Sequence, residues 1–256
     1  MSEITQTTDA GNTGPPIQVK GLHKSFGAQN VLNGIDLEVA PGETLSVLGQ
    51  SGTGKSVLLR LLVGLQRPDS GSVRIHGREI TALSRDELNE TRKKIGFLFQ
   101  NAALYDSLTV EQNVAFPLER HTKMAPKERT ARARELLSTV GMAEDLDKLP
   151  GEISGGMQKR VGLARALALA PDILLFDEPT SGLDPITASG IDDLIRKMQQ
   201  EKGMTSIVVT HDIPSARKVS DRLALMRDGH ILAQGSFQEL QENKDEFVVQ
   251  FLKRSC

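Results

Sequence analysis

The chain has no tryptophan, one tyrosine and one cysteine, and aromatic residues make up 4% of it. So thin an aromatic supply argues against a stacking platform for single-stranded nucleic acid. The one cysteine, Cys256, is the last residue. It excludes a disulfide within the chain, and a prenylation box would need its cysteine four from the end. Charge of one sign is lacking as well. The formal net charge is −2, so no global basic field draws the molecule to DNA or to anionic lipid. Long apolar runs are missing. Stretches such as Ile173–Phe176 are strand-sized and far short of a membrane span. No charged start leads into an apolar block of the kind that marks a secretory leader, so the chain is expected to stay in the cytosol. There is no internal repeat and no low-complexity tract.

What remains is the profile of an ordinary soluble protein, 38% hydrophobic and 25% charged over 256 residues. That is enough for a sizeable core in one domain or two closely joined lobes. The most informative stretch is Gly49–Ser56, which reads G-Q-S-G-T-G-K-S. An apolar strand-like run, Thr44–Leu48, enters it, and a helix-like run, Val57–Leu62, leaves it. Gly49, Gly52 and Gly54 allow an anion to approach the backbone closely. The N–H groups of Gln50, Ser51 and Thr53 add to the cradle. The helix start contributes partial positive charge. Lys55 can reach the β- and γ-phosphates, and the Ser56 hydroxyl can ligate Mg²⁺. The loop therefore points to a nucleoside triphosphate.

Along the rest of the chain, Met1–Pro16 is polar and rich in Gly and Pro, and reads as a disordered lead-in. Strands are expected at Ile17–Lys20, Ile35–Val39, Ser72–Ile75, Gly96–Phe99, Ile173–Phe176, Ser206–Val209 and Leu223–Met226. Between about Val110 and Ala170 the periodicity turns helical. One helix is expected from Pro126 to Val140, ended by Gly141, and another after Ser154. A further helix at Pro185–Met198 would be capped by Asp184. Gln238–Leu252 reads as a terminal helical region. Strands alternating with helices imply a mostly parallel α/β core, here interrupted by a helical insert at about residues 101–170.

A phosphate loop needs a carboxylate at a strand end to hold Mg²⁺. Ile173–Phe176 is followed by Asp177 and Glu178. Asp177 would emerge at the carboxyl end of its strand, where open α/β sheets bind ligands. Glu178 is placed to polarise the attacking water as a general base. His211 follows another strand and would come near the γ-phosphate. It could donate to that phosphate, or hold Glu178 and the water in line. Gln100 follows Gly96–Phe99 in the same way, and its amide suits Mg²⁺ or the water. Far away in sequence, Ser154-Gly155-Gly156-Met157 opens a helix with a good N-cap and a bare, glycine-lined start. That makes a second anion-binding surface, suited to a partner molecule's nucleotide.

Together these residues resemble the nucleotide-binding subunit of ABC transporters, over about Ile17–Gly235. Gly49–Ser56 look like Walker A, and Ile173–Asp177 like Walker B with Glu178 as catalytic glutamate. Gln100 looks like the Q-loop glutamine and Ser154–Met157 like the signature. Ser181–Asp184 look like the D-loop, and His211 like the switch histidine. Phe26 falls where the family stacks an aromatic on adenine. The resemblance implies a P-loop NTPase (RecA-like) fold with an N-terminal antiparallel β subdomain and an inserted helical subdomain. The ATP-binding domain would span 17–236, with a C-terminal helical tail at 237–256. It implies ATP and Mg²⁺ as cofactors. It also implies a head-to-tail dimer with a second copy, so that each ATP is shared, and transmembrane permease subunits as partners. Its place would be peripheral, on the cytoplasmic side of the bacterial inner membrane, with no nucleic acid bound.

One departure refines this. The fifth signature position, usually Gln, is Met157. Ser-Gly-Gly-Met is similar to the ATPases of Mla-type and Mce-associated lipid transport systems, as are Phe99–Tyr105, Asn113–Leu118 and Asp184–Thr187. Phospholipid is then the implied cargo and an Mce-domain protein an implied partner. Ala103, Leu104, Tyr105, Leu108 and Val114 are expected to build an apolar socket for the permease's coupling helix. Other readings stay open. A permease for another substrate would use the same motifs. A soluble ABC ATPase acting on DNA or ribosomes usually carries a coiled-coil insert or two cassettes, and neither is present. A P-loop kinase would leave Ser154–Gly156, Asp184 and His211 unexplained.

Overall fold

The computed structural model describes residues 14–253. Most of the expected lead-in, and Cys256, lie outside the described residues. Pro16 is buried and its carbonyl accepts a bond from the His76 N–H at 2.8 Å. Pro16 thus packs against the sheet one residue before the first strand begins at Ile17.

Two sheets organise the molecule. The first is antiparallel, with order β2-β1-β4-β5, formed by β1 (Ile17–Phe26), β2 (Gln29–Val39), β4 (Ser70–Ile75) and the short β5 (Arg78–Glu79). The alternation in β1 and β2 sends Ile17, Val19, Leu22, Ile35, Leu37 and Val39 to the core and polar neighbours outward. Gly71 holds φ at +92°, and a Cβ there would lie 2.3 Å from the Gly21 carbonyl oxygen, so β4 approaches β1 only with glycine.

The second sheet has order β10-β9-β3-β8-β7-β6. Its strands are β3 (Thr44–Leu48), β6 (Ile95–Leu98), β7 (Ile173–Asp177), β8 (Thr205–Thr210), β9 (Arg222–Arg227) and β10 (His230–Gly235). All pair in parallel except β10. Every residue of β3, β7 and β8 is buried, the mark of central strands covered on both faces.

Register decides where chemistry can gather. Leu48 pairs with Thr210, Asp177 with Val209, and Leu98 with Phe176. The next residues, Gly49, Glu178 and His211, together with Gln100 two positions beyond Leu98, therefore leave the sheet along one edge. The glycine-rich loop after β3 opens α1 (Lys55–Leu62) at Gly54, whose φ of +99° only glycine adopts freely. A Cβ on Gly54 would also meet Leu32 and Val31 below 3.0 Å.

The helical insert packs as its own core around α3 (Val110–His121), α4 (Pro126–Thr139) and α5 (Gly155–Ala166). Val140 closes α4 and Gly141 turns the chain at φ +74°. The helix expected at Pro185–Met198 runs on as α6 (Pro185–Lys202), until Gly203 stops it at φ +60°. The terminal helical region is two helices, α8 (Phe237–Gln241) and α9 (Glu246–Lys253). Four of these elements have no counterpart in the sequence reading: β5, α2 (Arg85–Lys93), α7 (Ile213–Val219) and β10. Among the described residues, no helix is long and apolar enough to cross a membrane.

Candidate functional site

The carboxyl edge of the parallel sheet brings five of the predicted residues together: Lys55, Ser56, Asp177, Glu178 and His211. Lys55, the first residue of α1, is 5% exposed. Its ammonium donates to the carbonyls of Gly49 at 2.8 Å and Gln50 at 3.0 Å, and stands 3.6 Å from the Glu178 carboxylate. Burial pulls its pKa down, while Glu178 and Asp177 pull the other way. A cation folded over a loop whose φ is +82° at Gly52 and +99° at Gly54 is built to receive an anion.

The Ser56 hydroxyl donates to the Asp177 carboxylate at 2.8 Å. Burial raises the Asp177 pKa, with the Ser56 bond opposing. The two oxygens thus sit side by side at the mouth of the loop, a hard-donor pair of the kind a small divalent cation takes. Among the described residues no group of three or more His, Cys, Asp or Glu could hold a metal. Protein oxygens here would supply only part of a coordination sphere, leaving the rest to phosphate and water, as Mg²⁺ prefers.

Glu178 is unusual. Its φ is +48°, a left-handed conformation that costs a non-glycine residue about 1–2 kcal/mol. Its N–H still extends the ladder, donating to the Val209 carbonyl at 2.9 Å. The conformation swings the side chain back over the sheet edge. One carboxylate oxygen accepts from the Thr210 hydroxyl at 3.3 Å and the His211 N–H at 3.4 Å, and lies 2.9 Å from the His211 Nδ1. Of the two roles read for His211, this contact matches the one that holds Glu178.

Gln100 is exposed beyond β6, level with Glu178 by register. Phe26 is exposed at the tip of the β1–β2 hairpin, with the Lys24 ammonium 5.4 Å from its ring centroid. Its exposure runs against core packing as its purpose. Ser154 caps α5 by accepting from the Met157 N–H, and both Ser154 and Gly155 are exposed. Asp184 caps α6 by accepting from the N–H groups of Ile186 and Thr187 at 3.1 Å. The two helix starts touch: a Cβ on Gly156 would lie 2.3 Å from the Thr187 Cγ2. Met157 is half-buried against the helical core, so this position is filled by packing.

The apolar socket needs correction. Val114 is fully buried in the helical core, and Leu104 packs against it. Ala103 and Tyr105 are exposed, and Tyr105 tilts against Phe116 at 4.7 Å between centroids. Two residues missed in the sequence hold this segment. Arg165 donates to the carbonyls of Ala102 at 2.5 Å and Ala103 at 2.7 Å, both residues having positive φ. The buried amide of Asn113 bonds Tyr105 twice, and also Leu108 and Thr109. Lys159 was missed too. It lies buried on α5 and donates to the Glu178 carbonyl at 3.1 Å.

A model of the ABC transporter family matches residues 32–181. The chain belongs to the ABC transporter family. It is an ATP-binding subunit of that family and an ATPase. It is 44% identical to the probable ribonucleotide transport ATP-binding protein mkl of Mycobacterium leprae, over 93% of this chain and 69% of that protein. It is 38% identical to the methionine import ATP-binding protein MetN of Brucella abortus, over 96% of this chain and 67% of that protein. The ATP-binding cassette MJ0796, solved as a dimer in a post-hydrolysis state with ADP and Pi, superposes with a TM-score of 0.80 at 37% identity, covering 86% of this chain and 98% of that one. ABC cassettes work as dimers joined to transmembrane permeases, and this ABC subunit has the matching P-loop NTPase fold.

Proposed function

We propose that this ABC subunit energises a permease that moves phospholipid, docked on the cytoplasmic side of the bacterial inner membrane. The observation that carries the lipid reading is the signature Ser154-Gly155-Gly156-Met157, in which a packed methionine stands where the family usually has glutamine. The exposed Ala103 and Tyr105 offer the permease a contact, and an Mce-domain lipid-binding protein is the expected accessory partner.

At the site, Lys55 and the loop N–H groups hold the β- and γ-phosphates. Ser56, Asp177 and Gln100 would hold Mg²⁺, which when bound neutralises charge on the phosphate oxygens. Glu178 takes a proton from the attacking water, and His211 keeps the carboxylate in line. Phe26 stacks on the adenine. Ser154, Gly155 and Gly156 face the nucleotide of a second copy, with Asp184 bracing the helix start beside them.

The relatives' names favour a second reading, a permease for ribonucleotide or methionine. Purifying the chain with its permease and reconstituting the complex separates the two. Phospholipid should raise ATP turnover, and ribonucleotide or methionine should not. Stimulation by either small molecule alone would replace the lipid reading.

A further inference from the structure

One buried cation in the site has no part in the chemistry described so far. Lys159 lies in the first half of α5 and is 5% exposed. Its ammonium crosses from the helical insert to the end of β7. It donates there to the Glu178 carbonyl, which also accepts from the Ser181 N–H at 3.2 Å. Those two bonds close the turn from Glu178 to Ser181. The turn holds the strained φ of Glu178 at one end and leads to Asp184 at the other.

The same helix begins at Ser154. Its exposed start, under the reading above, meets the nucleotide held by the other subunit. One rigid helix therefore touches two reaction centres. Its first turn serves the partner's ATP, and Lys159, a little over one turn further on, grips the residue that carries this subunit's own base. A lysine buried this way costs desolvation, which lowers its pKa, and is offset by the nearby Asp177 and Glu178 carboxylates. An apolar residue would fill the space without that cost. The cation is explained by what it holds.

We propose that Lys159 is a positioning residue that fixes the Glu178 backbone, so that hydrolysis in one site depends on where the same subunit's signature helix sits against the other. The inference rests on Glu178 being the base. A rotation or shift of α5 on engaging the partner's ATP would be felt directly at the Glu178 turn, through a single hydrogen bond and without passage through the sheet.

The test uses Lys159→Met in the full complex, with two differently tagged subunits. A dimer with Glu178→Gln in one subunit sets the reference rate. Adding Lys159→Met to that same subunit should lower the reference rate far less than placing it in the opposite subunit, because the base it holds there is already idle. Placing Lys159→Met in the opposite subunit should cut it at least about tenfold, the scale of a displaced catalytic group. ATP binding should stay within twofold in all dimers, and Lys159→Arg should recover part of the loss. Equal rates for the two arrangements would overturn the proposal, as would lost ATP binding in the Lys159→Met dimers. Should the reference dimer be silent, the Lys159→Met homodimer decides. A fall in kcat at unchanged KM supports the proposal and a normal kcat overturns it. Normal turnover in the Glu178→Gln homodimer would instead remove the reading of Glu178, which is a separate failure.

Discussion

The Nδ1 atom of His211 lies 2.9 Å from the Glu178 carboxylate, although the two residues close different strands. The contact exists because β7 and β8 are parallel neighbours in register, Asp177 against Val209, and because Glu178 turns back at φ +48°. A carboxylate oxygen only accepts, so the ring nitrogen is the donor here. His211→Ala should lower kcat by about 10²-fold, the scale of losing orientation of a catalytic group. ATP binding should change little. A parallel loss of binding would place His211 on the phosphate instead.

Asp192 gives a pH signature. It is buried on α6 and accepts from the Ser215 hydroxyl of α7 at 2.6 Å. Burial pushes its pKa from 3.8 up to about 6, with Ser215 and Lys218 opposing and Asp212 and Asp193 adding to the rise. A folded pKa above the unfolded one means that the folded state holds the proton longer. The stabilising contribution is complete below pH 3.8 and is lost as pH rises through about 6. Asp192→Asn keeps the shape and removes the titration. Thermal melts should show the variant gaining Tm over wild type between pH 5 and pH 7.5. Parallel Tm profiles would contradict this.

Asn113 holds the segment that leads into α3. Asn113→Ala would leave the Tyr105 N–H and the Leu108 carbonyl without their partner, while the Thr109 and Tyr105 carbonyls keep their bonds from the backbone N–H groups of residue 113 and Leu108. That should cost about 1–3 kcal/mol in urea unfolding. Because Tyr105 is 48% exposed on that segment, capture of the permease should weaken as well. Unchanged stability would mean that water replaces the amide.

Gly156→Ala tests the junction of the two helix starts. The added Cβ would fall 2.3 Å from the Thr187 Cγ2, closer than real contacts allow. Thr187 is β-branched and stiff at χ1, so the start of α5 must shift. Nucleotide-dependent dimer formation should fail while ATP binding by Lys55 and its loop survives. Normal dimer formation would show that the junction yields.

Much of this was legible in the sequence because it is local. A phosphate loop between a strand and a helix, two acids after an apolar run, and a serine-capped glycine pair each carry their meaning within a few residues. The parallel core followed from the alternation of strands and helices. What escaped reading has physical reasons. In α2 only Leu88 is apolar, so it has almost no hydrophobic face, and its one signal was the capping box from Ser84 to Glu87. The short α7 lies below the length at which helical periodicity speaks, and the edge strand β10, His-Ile-Leu-Ala-Gln-Gly, lacks apolar–polar alternation. Lys159 and Arg165 act on carbonyls 19 and 62–63 residues away in the chain, and Asn113 on the loop just before its own helix. A single sequence shows such residues only as polar side chains in helices. Val114 read as a surface contact and is core, because the face of α3 that turns inward is set by α4 and α5.

The central claim is a hydrolytic site that a second copy completes and Glu178 fires. Glu178→Gln measures it most directly, in the assembled complex, through ATP turnover and ATP-dependent dimerisation by light scattering. Turnover should fall by about 10²–10⁴-fold, the share of a general base, with ATP binding intact and the dimer persisting while ATP is bound. Near-normal turnover, or a chain that remains monomeric with ATP bound, would contradict the account.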